Sequence, residues 1–191
     1  MQDIKFPIKF SFNITTLSND FTATDASGKT IAYVKQKMFK LKEDISIFNN
    51  QNKTQLNYKI NADKWIDFSA AYSFKNSKGQ EVGKIARKGW ASIWKAHYEL
   101  IDKHQKLQYL IREENAWIKV LDSVLGQIPI LGGFTGYLFN PSYVVTDLRN
   151  TSIVRMKKEP SFFGRKFELT QLKPIDEDDK ERIILGYMMM V

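Results

Sequence analysis

The last nine residues of the chain limit its possible folds more than any other stretch. Residues 183–191 read IILGYMMMV and are apolar on every side. Four consecutive acids, at 176–179, and Glu181 come just before them. Acidic side chains stabilise a helix N-terminus because they complement its macrodipole. With Asp176 as the N-cap and Pro174 just ahead, the sequence predicts an apolar C-terminal helix.

A helix that is apolar all round must be buried all round. A bilayer span takes about 20 apolar residues, and this run has only nine. We therefore expect no transmembrane span. We expect instead that the helix lies inside a hollow core built by the rest of the chain.

The rest of the chain reads as short strands separated by polar turns. Ile8, Phe10, Phe12 and Ile14 alternate along the chain, which is typical of a half-buried strand. Polar turns rich in Asp and Asn recur at irregular spacing, at 18–20, 25–28, 49–52, 76–79, 102–105 and 147–150. This pattern indicates a hairpin used repeatedly in a barrel or sandwich, and closing a barrel removes exposed strand edges.

One segment departs from the strand pattern. Five apolar residues have helical spacing: Trp117, Val120, Leu121, Val124 and Leu125. With Asn115 as N-cap and Gly126 as stop, they predict a short amphipathic helix near 116–125. No Pro/Ser-rich linker divides the chain, so we expect residues 1–191 to form one domain. The predicted fold is mainly β, a closed or nearly closed barrel around the C-terminal helix.

The net charge and the cysteine content limit the classes of function that this protein can have. The net charge of +8 and the pI of about 9.5 favour polyanionic partners, although lysines also keep a surface soluble. The chain has no Cys, which excludes disulfides, thiolate nucleophiles and zinc–thiolate sites. No apolar run of signal-peptide length opens the sequence, so we expect a cytoplasmic protein, either free or at a membrane surface.

The basic residues fall into three clusters. Lys35, Lys37, Lys40 and Lys42 would form an outward basic stripe if a bulge lies near residues 38–39, or would simply protect a strand edge. The second cluster is Lys84, Arg87 and Lys88, and the third is Arg155, Lys157, Lys158, Arg165 and Lys166. Arg grips phosphate through a bidentate fork. The predicted phosphate-binding residues are Lys35, Lys37, Lys40, Lys42, Arg87, Lys88, Arg165 and Lys166.

Phe162 and Phe163 precede Arg165 and Lys166 directly. They would either insert into a lipid interface beside these cations or fill the barrel core.

The sequence offers no catalytic or metal-binding constellation. His97 and His104 are its only histidines, which is too few for a metal site. Glu113 and Glu114 would face opposite sides of a strand and could not act as an acid–base pair. The glycine-rich stretch at 132–136 matches neither a phosphate loop nor a dinucleotide fingerprint. We expect no enzyme activity, no metal and no cofactor.

Several stretches together resemble a known family. They are VKQKMFKL at 34–41, GKIARK at 83–88, WKAHY at 94–98, EENAW at 113–117, GYLFNP at 136–141 and FFGRKF at 162–167. Their order, with the apolar terminal helix, resembles the LURP-one-related family of the tubby C-terminal-like and phospholipid scramblase-like superfamily. The resemblance implies an antiparallel barrel of about twelve strands around a buried C-terminal helix.

The resemblance also implies classes of function. Tubby-like domains are associated with phosphoinositide headgroups, and scramblase-like members with moving phospholipids between leaflets. The acids at 176–179 lack the alternating ligands and Gly of a calcium loop, which argues against scrambling. We predict a non-enzymatic module that binds anionic phospholipid headgroups, at a membrane surface, or another phosphorylated ligand. The alternatives are a nucleic-acid or transcription-associated protein, which lacks a visible recognition helix, and scramblase-like lipid handling.

Overall fold

A computed structural model describes residues 3–13, 19–36, 44–63, 70–87, 97–114, 142–161 and 164–191 of the chain. These ranges hold twelve strands and one helix. The strands are β1 (Ile8–Phe12), β2 (Phe21–Thr24), β3 (Thr30–Gln36), β4 (Asp44–Phe48), β5 (Leu56–Ala62), β6 (Ala70–Asn76), β7 (Glu81–Arg87), β8 (His97–Asp102), β9 (Leu107–Glu113), β10 (Ser142–Asp147), β11 (Ser152–Glu159) and β12 (Lys166–Gln171). The helix, α1, is Glu177–Met190.

The strands form a closed antiparallel barrel. Each strand pairs with its neighbour in the chain, and β1 pairs with β12, with Phe10 opposite Phe167. Closure leaves none of these twelve strands with an unpaired edge. The predicted fold class, a mainly β barrel of about twelve strands around a C-terminal helix, is confirmed. The predicted helix near 116–125 and the predicted bulge near 38–39 lie outside the described residues.

The terminal helix fills the barrel. It begins where the sequence predicts, because the Asp176 carboxylate accepts a hydrogen bond of 2.8 Å from the Asp179 amide. Every residue of 183–189 is buried, and Tyr187 has no exposed surface. The Tyr187 hydroxyl lies 3.1 Å from the carbonyl oxygens of Tyr143 and Val154, which satisfies its polar atom inside the core. No helix in the described part of the chain is long and apolar enough to cross a membrane.

Glycine lets the helix approach the barrel wall closely. Gly83 on β7 has φ +150°, and a Cβ there would lie 2.7 Å from both the Arg182 Cδ and the Ile101 carbonyl oxygen. A larger side chain at 83 would therefore push the helix off β7. Inward-facing strand residues complete the core around the helix, among them Phe10, Ile60, Phe74, Leu100 and Leu169.

Four of the strand hairpins use one turn design. Asp25, Asn76, Asp102 and Asp147 each end or directly follow a strand, and a side-chain oxygen of each accepts hydrogen bonds from the amides two and four residues later. The fourth residue of each turn has positive φ, and it is Gly28, Gly79, Gln105 or Asn150. A longer turn at 49–55 also uses an Asn acceptor, Asn49. The repeated Asp/Asn hairpin predicted from the sequence is thus confirmed at five of its six positions.

The connections divide the barrel into two different ends. All five of these hairpins lie at one end, which we call the turn end, and α1 enters the barrel there after β12. At the other end, which we call the connection end, the odd-numbered strands end and the even-numbered strands begin. The C-terminal end of α1 lies at the connection end, where the Val191 carbonyl meets the Arg165 guanidinium.

Because of the turn carboxylates, we expect the stability of the fold to depend on pH in the acid range. Hydrogen bonds lower the pKa of three of them below the ordinary value of 3.8: chiefly from the Ser27 hydroxyl for Asp25, the Lys106 amide for Asp102 and the Thr151 amide for Asp147. A depressed folded-state pKa stabilises the fold above the unfolded value, and this contribution is lost as pH falls. We therefore expect the free energy of unfolding, measured by urea denaturation, to fall as pH drops below about 4.

The triple variant Asp25→Asn, Asp102→Asn and Asp147→Asn is the matched test. Asn keeps the acceptor oxygen, as Asn76 does in its own turn, but it does not titrate. We expect the variant to remain folded at neutral pH and to show a shallower loss of stability between pH 5 and pH 2.5. Identical pH slopes in the two proteins would contradict this assignment.

Candidate anion-binding site

The described members of the predicted phosphate-binding set lie at the same end of the barrel. Lys35 is near the end of β3, Arg87 ends β7, Lys166 begins β12, and Arg165 immediately precedes it. Since odd strands end and even strands begin at the connection end, all four belong to its rim. The other four predicted residues, Lys37, Lys40, Lys42 and Lys88, lie outside the described residues.

These four residues are spread around the rim. The strands that carry Lys35, Arg87 and Lys166 are three to five positions apart in the barrel order. Neighbouring strands are about 4.8 Å apart, so these positions are separated by roughly 14–24 Å along the wall. Only Arg165 and Lys166 are neighbours. Among the described residues, the predicted cations therefore do not converge on one small pocket.

The cations also differ in the direction that their strand positions face. Lys35 and Lys166 alternate with the core residues Val34 and Phe167, so both lie on the outer wall. Lys35 is half-buried and Lys166 is exposed. Arg87 is exposed and shares the inward-facing alternation of Gly83 and Ile85, which places it at the mouth of the barrel. The rim thus carries positive charge on its outer wall and at its mouth.

Arg165 has a structural role that the sequence did not reveal. Its guanidinium stacks on the Phe12 ring at 4.1 Å. It also donates to the Asn19 side-chain oxygen at 3.2 Å and to the Val191 carbonyl at 3.4 Å. A cation at a helix C-terminus offsets the negative end of the macrodipole. Arg165 therefore ties β1, the β1–β2 connection and the end of α1 together.

The third predicted cluster is divided by acids. Arg155 forms a bidentate pair with Glu114, with N–O distances of 2.6 and 2.9 Å. Although burial opposes the effect, hydrogen bonds from Arg155 and Ser142 lower the pKa of Glu114 below its usual range. Arg155 is therefore already committed to a carboxylate partner.

Two of the three lysines of this cluster lie opposite acids in the sheet, whereas Lys158 lies opposite Phe167. Lys157 lies opposite Glu168, and Lys166 lies opposite Glu159. Such cross-strand pairs offset part of the positive charge. The five cations are close together in the sequence, but antiparallel pairing in the folded chain places acids between them.

The two phenylalanines that precede this cluster's last two cations, Phe162 and Phe163, lie outside the described residues.

The turn end has the opposite character around the start of α1. Asp176, Glu177 and Asp179 line a cavity of about 480 Å³ together with His104 and Arg182. Arg182 is buried, pairs with Asp179, and donates to the Gln108 amide oxygen at 3.0 Å. Among the described residues, no group of three or more acids and histidines could hold a metal ion.

Two tyrosines of the barrel wall fix this start of the helix. The Tyr109 hydroxyl donates to Asp179 at 2.5 Å, and burial together with this bond raises the Tyr109 pKa above its usual range. Burial likewise raises the pKa of Tyr58, which is also hydrogen-bonded to Glu181. The acids that mark the helix start in the sequence are thus partly used to hold it in place.

A protein-family comparison agrees with the resemblance seen in the sequence. The LURP-one-related family model matches residues 30–122, about half of the chain. The match runs from β3 past β9 and contains Lys35, Lys37, Lys40, Lys42, Arg87 and Lys88, whereas Arg165 and Lys166 lie beyond it. No curated protein and no solved structure matches the chain. The predicted family is therefore confirmed.

Substitution of Arg165 tests whether this residue stabilises the fold in a way that the neighbouring surface cation does not. Arg165→Ala removes the contacts with Phe12, Asn19 and Val191, and we expect it to destabilise the fold by about 1–2 kcal/mol. Lys166→Ala is the matched control next to it, because its side chain is exposed, and should cost less than about 0.5 kcal/mol. Urea denaturation measures both values. Equal effects would contradict the structural role of Arg165.

Proposed function

We propose, since this chain carries a LURP-one-related domain, that it is a single-domain, non-enzymatic binding module for anionic phospholipid headgroups or another phosphorylated ligand. The family and the barrel are typical of binding folds rather than of enzymes. The proposed contact surface is the rim of the connection end, through Lys35, Arg87 and Lys166. In this proposal the protein binds to the membrane surface as a peripheral protein, through electrostatic attraction between its basic side chains and the anionic headgroups.

One observation carries the proposal: the fold brings the described basic candidates from distant parts of the sequence to one end of the barrel. Lys35 and Lys166 are separated by most of the chain, yet both lie at the connection end. Arg87 lies there as well. Cations placed at one end can orient a protein towards a polyanionic surface and raise its local concentration there.

The spacing of the cations favours an extended anionic surface over a single small anion. Residues separated by roughly 14–24 Å along the wall cannot surround one phosphate. They can each meet a different headgroup of a lipid surface, where each basic residue contributes about 1 kcal/mol. Because Arg165 already contacts Phe12 and Val191, we assign it a structural role and not a direct contact with headgroups.

Sedimentation with lipid vesicles tests the proposal. The full chain should bind vesicles of phosphatidylcholine that contain 20% phosphatidylserine or 5% phosphatidylinositol bisphosphate, and should bind pure phosphatidylcholine negligibly. Exposed charges are screened by salt, so the bound fraction should fall between 0.1 M and 0.5 M NaCl. Equal binding to charged and neutral vesicles would overturn the proposal.

Charge reversals with a matched control locate the contact. Lys35→Glu with Lys166→Glu should weaken binding to the charged vesicles by at least about tenfold. Lys78→Glu with Lys103→Glu makes the same change in net charge on two exposed lysines of the turn end, and should weaken binding by less than about threefold. Equal losses in the two variants would show that net charge, and not the connection end, governs binding.

A further inference from the structure

A second cavity lies at the turn end and shares no lining residue with the cavity at the acidic start of α1. Its volume is about 450 Å³, which falls within the range of small-molecule sites. Residues next to three successive hairpins, β2–β3, β4–β5 and β6–β7, line it together with Ile4. None of these lining residues belongs to the predicted phosphate-binding set or to the connection end.

The floor of this cavity is apolar and fixed. Ile4 is buried in the core, and Ile31 packs against the same core. The Tyr58 ring is also buried, and its hydroxyl is hydrogen-bonded to Glu181 of the helix. Such a floor offers a firm surface for the carbon skeleton of a small ligand.

The cavity wall carries polar groups that the fold does not use. The amides of Asn49 and Asn76 hold their own turns. In contrast, the side chains of Thr30, Asn57 and Ser77 form no hydrogen bond with any described residue. Two hydroxyls and one amide are therefore left to face the cavity, and each of them can donate as well as accept.

The charge of the lining limits the ligand further. Among the described lining residues, Lys29 is the one charged side chain, and none carries a carboxylate. Lys29 forms no salt bridge in the described part of the chain, although its charge helps to lower the pKa of the nearby Asp25 carboxylate, whose Oδ1 accepts hydrogen bonds within its own turn. A site with one cation, several donors and no acid suits a ligand that is rich in oxygen acceptors and carries one anionic group.

We propose that this cavity binds a small hydroxylated anion, such as a sugar phosphate or a sugar acid. Lys29 pairs with its phosphate or carboxylate, while Thr30, Asn57 and Ser77 bind its hydroxyls. The apolar face of the sugar ring lies on Ile4 and Ile31. The inference is independent of the proposed lipid contact, because the cavity lies at the opposite end of the barrel.

Methyl NMR on the unmodified full chain tests this assignment without any lipid. Isoleucine methyl groups are labelled with carbon-13, and the probes are glucose 6-phosphate, glucuronate, glucose and inorganic phosphate. We expect the first two probes to shift the Ile4 and Ile31 methyl signals saturably, with affinities at least tenfold above those of glucose or phosphate alone. Absence of saturable shifts at Ile4 and Ile31, or equal affinity for phosphate alone, would overturn the proposal.

The repeated turn supplies a matched control. Lys29 and Lys106 occupy the same position in two turns of one design, since each donates its amide to the Asp four residues earlier. Lys29→Ala should weaken glucose 6-phosphate binding about tenfold, whereas Lys106→Ala should leave it within twofold. Asn57→Ala should weaken it about fivefold. Equal affinities of the Lys29 and Lys106 variants would contradict the site.

Discussion

The apolar helix and the barrel around it each supply the buried surface that the other lacks. Side chains such as Ile183, Ile184 and Leu185 have no exposed surface, and each contributes roughly 1.5–3 kcal/mol when fully buried. The inward faces of strands such as β7 and β8 meet this helix and would otherwise line a void. Gly83 shows how closely the two parts fit, because even one added methyl group would collide with Arg182 and the β8 backbone.

The direction of the helix also gives the barrel two distinct ends. Its acidic start is held at the turn end by Tyr109 and Arg182, and its last carbonyl meets Arg165 at the connection end. Five hairpins, four of them of one design, join the strands at the turn end, and the odd-numbered strands end at the other. The proposed lipid surface and the proposed small-molecule cavity are therefore on opposite ends and can be tested separately.

Local signals in the sequence predicted much of this fold. The N-cap at Asp176 and the apolar run after it identify the helix because capping and burial are encoded by neighbouring residues. The same holds for the turns that begin at Asp102 and Asp147, where one carboxylate binds amides two and four residues ahead. Closure of the barrel could also be predicted from the sequence, because so many short strands need their edges paired.

The geometry of the candidate sites depends on contacts between distant residues, and no local pattern reports these. Arg165 meets Phe12 and Val191, which lie near opposite ends of the sequence. Antiparallel pairing likewise brings Glu114 to Arg155 and so divides a cluster that looks continuous in the chain. The cavity beside Lys29 went unpredicted because three hairpins contribute to it, and each alone reads as an ordinary turn.

Truncation after Arg182 tests the central claim most directly, namely that the barrel depends on the helix inside it. We expect a chain lacking residues 183–191 to show no cooperative thermal unfolding transition and to lose the near-ultraviolet circular dichroism of its packed aromatic side chains. A truncated chain that melts cooperatively and keeps this signal would show that the barrel can stand without its central helix, and would contradict the account.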